Sequence, residues 1–370
     1  MKITITYASA GAGHRRAAEA LYSYLRDNLP EADLELLDAL ETATPAFRYI
    51  YRKGYDFLVR HAVWLWGLCF RATSGARVSR FFSFLNGLAD HYMAGGVEEH
   101  FIRRQPDVII STHFFPSEAV SRLKIKGRIK SKLITVITDF AVHPFWVYPA
   151  TDTYVVPSSY ARQELLQRGI PFERIKEFGI PIDKKFFSSF DRERIARGLG
   201  IEKGKFTVLI VTGSFGIGPI EEIVEALRRD AQLLVVCAAN EGLRQRLTKN
   251  PDAQVKVFGF VDNMEELMSV SDLIISKPGG MTIAEMLAME VVPLFISPIR
   301  GQETSNADVL QRLGIGMTLI RADAIKEAAL EYKNDAKRMQ EVKKRMREAA
   351  KPSASALLCA YLRSDEFNNR

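Results

Sequence analysis

What most limits the folds open to this chain is a short pattern that occurs twice: a β-rich apolar run, then a glycine-rich turn, then a helix. Residues 3–7 run into residues 9–13. A helical repeat follows with Ala17, Leu21, Leu25 and Leu29 at spacing four, closed by Pro30. Residues 206–212 run into the GSFGIG segment 213–218, and a helix from 220 to 228 follows. After the first start, apolar runs at 34–37, 108–111, 133–138, 154–156 and 175–178 are interleaved with helical patterns such as 159–168. After the second, such runs lie at 233–237, 255–258, 273–276 and 292–296. This alternation predicts parallel sheets covered on both faces, because parallel neighbours need a crossover connection and a helix normally supplies it. The fold expected is α/β, with two Rossmann-like domains.

A length of 370 residues suits two domains, each large enough to bury its own core. The join is expected near 181–189, giving an N-terminal domain at 1–183 and a C-terminal one at 184–350. Helical patterns at 335–350 and 353–362 are separated by Pro352, so residues 351–370 form a terminal helix that can pack back on the first domain. One stretch breaks the rhythm. From 46 to 93 the chain interleaves aromatics, among them Trp64, Trp66 and Phe70, with arginines and Lys53. Such a mixture serves nucleic acid or a membrane interface, and a helical excursion with its aromatics turned inward would look the same.

The formal net charge of +7 favours an anionic partner without choosing among nucleic acid, nucleotide phosphate and acidic lipid. The opening MKITITYASAGAGH does not read as a signal peptide. The apolar stretch 61–70 is too short to span a bilayer. Three scattered cysteines, Cys69, Cys237 and Cys359, imply neither a disulfide framework nor a metal spacing. A cytoplasmic protein whose membrane contact is peripheral is the expectation.

Three segments carry candidate chemistry. The first, Gly11-Ala-Gly13-His14, stands at a strand-to-helix junction, where glycine lets backbone approach a ligand and the helix N-terminus favours negative charge. Arg16 stands where a dinucleotide fingerprint needs its third glycine. The second is the 213–218 loop, which lacks the Lys-Ser/Thr ending of a P-loop. The third, Ser276 to Glu285 (SKPGGMTIAE), offers the most. Pro278, Gly279 and Gly280 make a turn whose amides suit a diphosphate, Thr282 adds a hydroxyl, and Glu285 lies one turn on, where a carboxylate can accept ribose hydroxyls. Beyond it the GQETSN segment supplies Gln302, Glu303 and Asn306, a set suited to sugar hydroxyls.

With these segments the chain resembles the monogalactosyldiacylglycerol synthases and the bacterial processive diacylglycerol glucosyltransferases. These are relatives of the N-acetylglucosaminyltransferase that makes the peptidoglycan lipid precursor. The resemblance rests on TYASAGAGHRRAAEAL at the start, TVITDFAVHPFW at 135–146, residues 156–183, residues 257–289 and the GQETSN stretch, in that order. It implies the GT-B architecture: two facing Rossmann-like domains with a cleft between them, the donor in the C-terminal half and the acceptor in the N-terminal half. Family donor residues fall on Gly213, Ser214 and Gly216, on Phe260 and Val261 beside uracil, on Gly279, Gly280 and Thr282 at the diphosphate, and on Glu285 at ribose. Gln302 and Glu303 match residues that hold the hexose. The histidine after the first glycine loop falls on His14, and Asp139 and His143 match the acceptor-side stretch.

The reaction so implied inverts the anomeric centre in one displacement. His14 is the expected general base or acceptor-orienting residue, and Asp139 is its rival. His113, after a strand, either lines the cleft with Gly13 or caps a helix. No Asp-x-Asp pair sits in a suitable loop, so no metal and no cofactor are expected. The expected partners are UDP-glucose or UDP-galactose, diacylglycerol and an anionic membrane surface, met by Trp64, Trp66, Phe70 and the neighbouring arginines; no nucleic acid is expected. Alternatives are a polyprenyl-linked acceptor, a nucleotide-sugar epimerase on the same fold, and a non-catalytic sensor of nucleotide sugar.

Overall fold

The strands form two parallel six-stranded sheets. The computed structural model describes residues 1–9, 11–45, 48–49, 51, 53–54, 95–213, 216, 218–249, 251–299 and 301–368. Most of the 46–93 stretch, with Trp64, Trp66 and Phe70, lies outside the described residues, and so does Ser214. The chain forms two units: residues 1–183 with 299–305 and 351–370, and residues 184–298 with 306–350.

In the first unit the strands are β1 (Lys2–Tyr7), β2 (Asp33–Asp38), β3 (Val108–Ser111), β4 (Lys132–Val136), β5 (Thr153–Val155) and β6 (Ile175–Lys176). Their order across the sheet is β2-β1-β3-β4-β5-β6. β3 and β4 are mostly apolar and, apart from Lys132, buried, as strands covered on both faces must be. One layer of the core joins Ile3, Ile5 and Ile110 to Leu21 and Leu25, the inward stripe of helix Ala12–Asn28. Leu358, Tyr361, Leu362 and Phe367 complete this layer, so the C-terminal segment is part of the first unit's core. Tyr361 fixes it with a hydroxyl bond to Thr153 Oγ1 at 3.0 Å.

The second unit contains β7 (Thr207–Val211), β8 (Gln232–Val236), β9 (Val255–Phe258), β10 (Leu273–Ser276), β11 (Val292–Ile296) and β12 (Met317–Leu319). Their order is β12-β11-β10-β7-β8-β9. β12 is an edge strand of three residues that the sequence pattern does not signal, because three residues are too few to display a period of two.

The two orders decide where ligands bind. In an open parallel sheet the strands on either side of the point where the order reverses send their loops apart and leave a crevice at their carboxyl ends. In the first unit this point lies between β1 and β3, and in the second between β7 and β10. The glycine-rich segments 11–13, 213–218 and 277–280 follow β1, β7 and β10, so all three sit at such points.

Candidate active site

The first unit's site is built around His14, in the first turn of helix Ala12–Asn28. Gly11 is the N-cap of that helix at φ 84°, a left-handed position that a side chain would strain, and no side chain caps the first-turn amides. His14 Nδ1 lies 2.8 Å from the Thr112 carbonyl and 2.9 Å from Thr138 Oγ1. A carbonyl only accepts, so Nδ1 carries the hydrogen, and in the neutral ring the lone pair belongs to Nε2. Thr112 returns a bond from its hydroxyl to the His14 carbonyl at 2.9 Å. Thr112 and Thr138 come from the ends of β3 and β4, so both neighbouring strands orient the imidazole.

The rings of His113 and Trp146 lie 4.5 and 5.9 Å from that of His14. His14 is half-buried as a residue, its ring packs among these groups, and burial lowers its pKa. The Asp139 carboxylate opposes that effect, as does the bond to Thr112. Asp139 is itself buried and accepts from Trp146 Nε1 at 3.3 Å and from the Gln302 amide at 2.9 and 3.0 Å.

His113 and His143 both act as caps through one ring nitrogen. Each accepts a backbone N–H two residues on through Nδ1: His113 from Phe115 at 3.0 Å, capping helix Phe114–Ile125, and His143 from Phe145 at 3.3 Å, capping the turn Pro144–Trp146. Burial holds His113 well below the ordinary histidine pKa, and charge on His14 pushes the same way. In the unfolded chain His113 takes up a proton below about pH 6.5, whereas in the fold it stays neutral. The stability is therefore present above that pH and is lost as the pH falls, at up to about 1.4 kcal/mol per pH unit for one proton. His113→Asn keeps a capping acceptor and removes the titration. Urea unfolding from about pH 7 to pH 5 should show a shallower loss of stability in this variant, and an unchanged slope would remove His113 as the cause.

In the second unit Gly213 and Gly216 both lie at positive φ, 76° and 57°. Phe260 is 66% exposed just past β9. Gly279 is the N-cap of helix Gly280–Met289, whose first turn has no acidic residue and no side-chain cap. Pro278 and Gly280 are buried, Thr282 is half-buried in that turn, and Glu285 is buried in the next. Asn306, 1% exposed, donates through Nδ2 to the Pro278 carbonyl at 3.2 Å, which ties the GQETSN segment to the 277–280 turn. Gln302 lies instead with the first unit, on Asp139, and Glu303 accepts the Ile299 N–H at 2.6 Å.

Thr112, Thr138 and Trp146 escape the sequence reading. Threonines at strand ends carry no periodic signal, and Trp146, though within TVITDFAVHPFW, reads as one more core aromatic until its indole N–H is seen on Asp139.

Two parallel α/β units, each with glycine-rich turns at its switch point and the first with an oriented histidine beside a buried carboxylate, define the GT-B class of glycosyltransferase fold. Solved structures share it. MurG from Acinetobacter baumannii is 13% identical, with a TM-score of 0.60, covering 97% of this chain and 98% of its own. Anabaena HepE, solved in complex with UDP, is 13% identical with a TM-score of 0.59, covering 98% and 99%. Residues 14–182 match the monogalactosyldiacylglycerol (MGDG) synthase model, and residues 207–358 match the glycosyltransferase family 28 C-terminal domain. A Bacillus cereus protein named processive diacylglycerol beta-glucosyltransferase is 36% identical over 259 residues. That match spans 67% of this chain and 65% of the relative's own length. The chain thus combines a monogalactosyldiacylglycerol synthase domain with a glycosyltransferase family 28 C-terminal domain, and is similar to the processive diacylglycerol glucosyltransferases over about two thirds of its length.

Proposed function

We propose that the chain is an inverting hexosyltransferase that moves a sugar from UDP-glucose or UDP-galactose to diacylglycerol, acting peripherally at the cytoplasmic face of a membrane. The observation that carries the reading is the fixed tautomer of His14: Nδ1–H is committed to the Thr112 carbonyl, which leaves Nε2 as a base. In the reaction the acceptor oxygen bonds to the anomeric carbon, its proton passes to Nε2, and the bond from that carbon to the diphosphate breaks to release UDP. Asp139 supports the imidazolium so formed and is held for that task by Trp146 and Gln302.

On the donor side, the open N-terminus of helix Gly280–Met289 and the Thr282 hydroxyl suit the diphosphate, whose leaving charge falls on amide dipoles. No metal is assigned to the reaction. Phe260 and Val261 are proposed beside uracil, Glu285 at the ribose, and Gln302, Glu303 and Asn306 toward the hexose. The relative's name supports diacylglycerol as acceptor. Among the described residues no helix is long and apolar enough to cross a membrane. Membrane contact is proposed through Trp64, Trp66 and Phe70. Binding to anionic vesicles should therefore weaken in a Trp64→Ser/Trp66→Ser double variant, and equal flotation would exclude that contact.

The test is incubation with each UDP-sugar and diacylglycerol. Glycolipid and UDP in equal amounts are expected. A sugar nucleotide altered without acceptor would instead make the chain an epimerase, and binding of UDP-sugar without turnover would make it a sensor.

A further inference from the structure

The turn that follows β8, from Cys237 to Asn240, lies between Gly216 and Gly259-Phe260, two places on or beside which the family's donor residues fall. On one side Ala238 donates its N–H to the Gly259 carbonyl at 3.2 Å, next to Phe260. On the other the Asn240 Nδ2 donates to the Gly216 carbonyl at 2.8 Å, in the middle of the glycine loop. Gly216 is pressed onto the turn. A Cβ at Gly216 would stand 2.3 Å from the Cys237 carbonyl oxygen and 2.9 Å from Asn240 Cβ, and Gly216 is at φ 57°. Only a bare backbone fits there.

The turn itself is strained, with Ala238 at φ 50°, a region costly for a residue with a Cβ. Strain held at one point by bonds on both sides marks a place that the surroundings over-determine. The Asn240 carboxamide is also fixed in orientation. Its Oδ1 accepts the Leu243 N–H at 3.0 Å and so caps helix Glu241–Thr248, which leaves only its NH₂ for the Gly216 carbonyl. One side chain thus performs two separable tasks: the oxygen caps a helix, and the nitrogen sets the glycine loop.

We infer that Asn240 is a positioning residue for the donor site: by anchoring the Gly216 carbonyl to the β8 turn it presets the glycine loop for the UDP portion of the donor. The inference rests on the proposed reading of that loop as a donor segment. Loss of the anchor is expected to act on donor binding and to leave the acceptor untouched, because the bonds of the Asn240 side chain run to the Gly216 carbonyl and the Leu243 N–H.

The two tasks can be separated. Asn240→Asp keeps an isosteric cap and places an oxygen where the nitrogen donated. Asn240→Ser keeps a shorter capping oxygen without adding charge, and Asn240→Ala removes both functions. Calorimetric titration of the full chain with UDP should show binding weakened about tenfold in the serine variant and more in the aspartate variant. KM for the UDP-sugar should rise by a similar factor, while kcat at saturating donor, KM for diacylglycerol and the unfolding temperature stay at wild-type values. The alanine variant should share the binding defect and in addition unfold at lower temperature. Wild-type UDP affinity in the serine and aspartate variants would overturn the inference. Failure of the wild-type chain itself to bind UDP would instead overturn the donor reading.

Discussion

Replacing His14 with alanine is expected to lower kcat by about 10²–10⁴-fold, the usual contribution of a positioned general base, with circular dichroism confirming the fold. The size follows from geometry. The Thr112 carbonyl fixes the proton on Nδ1, and without the imidazole no other group is held by both strand ends in that place. The pH dependence gives an independent check. The base must be neutral, and burial lowers its pKa, so the acid limb of kcat/KM should fall below pH 6.5. Asp139 raises that pKa, so Asp139→Asn should move the limb to still lower pH while slowing turnover, because the imidazolium loses its counter-charge. Near wild-type turnover of the alanine variant would remove His14 from the role. An acid limb moving upward in Asp139→Asn would remove Asp139 from its own.

Glu285→Gln should raise KM for the UDP-sugar by about 10- to 100-fold, with kcat at saturating donor within a few-fold of wild type. Glu285 is 2% exposed in the second turn of helix Gly280–Met289, a place where a carboxylate is kept only if it has work to do. Bonds to a charged acceptor are worth about 1.5–3 kcal/mol each, and glutamine keeps the shape while losing the charge. If the ribose is gripped equally in ground and transition states, the loss appears in KM. An unchanged donor KM, or a collapse of kcat alone, would show that Glu285 does not hold the ribose.

The parallel α/β halves and their glycine turns were legible in the residues, because each is a local pattern: apolar runs of strand length, helical spacing, and glycine at the junction. Helix Gly280–Met289 was legible for the same reason, since Gly279, Gly280, Thr282 and Glu285 fall within seven consecutive positions. At His113 and His143 the fold adds a contact that the residues did not settle by themselves: the Nδ1 of each accepts a backbone N–H, on a helix and on a shorter turn. Gln302 is another case. The GQETSN segment reads as one hexose-binding set, yet Asn306 bonds to Pro278 while Gln302 bonds to Asp139.

Sequence alone determined the two-fold α/β plan, the three glycine-rich strand ends and the identity of His14, Asp139 and Glu285 as candidates. Spacings of one to five residues fix the strands, the helices and the glycine turns, through steric and hydrogen-bonding rules that act within a turn of helix or a pair of strands, while Asp139 became a candidate through the family resemblance. Tertiary structure decided which strands lie side by side, and hence that His14 meets Thr112, 98 residues away, and Thr138, 124 away, and that Gln302 reaches Asp139 across 163 residues. A hydrogen bond is satisfied by position in space and is indifferent to separation along the chain. The tautomer of His14 and the setting of Asp139 therefore had no local signal to be read from.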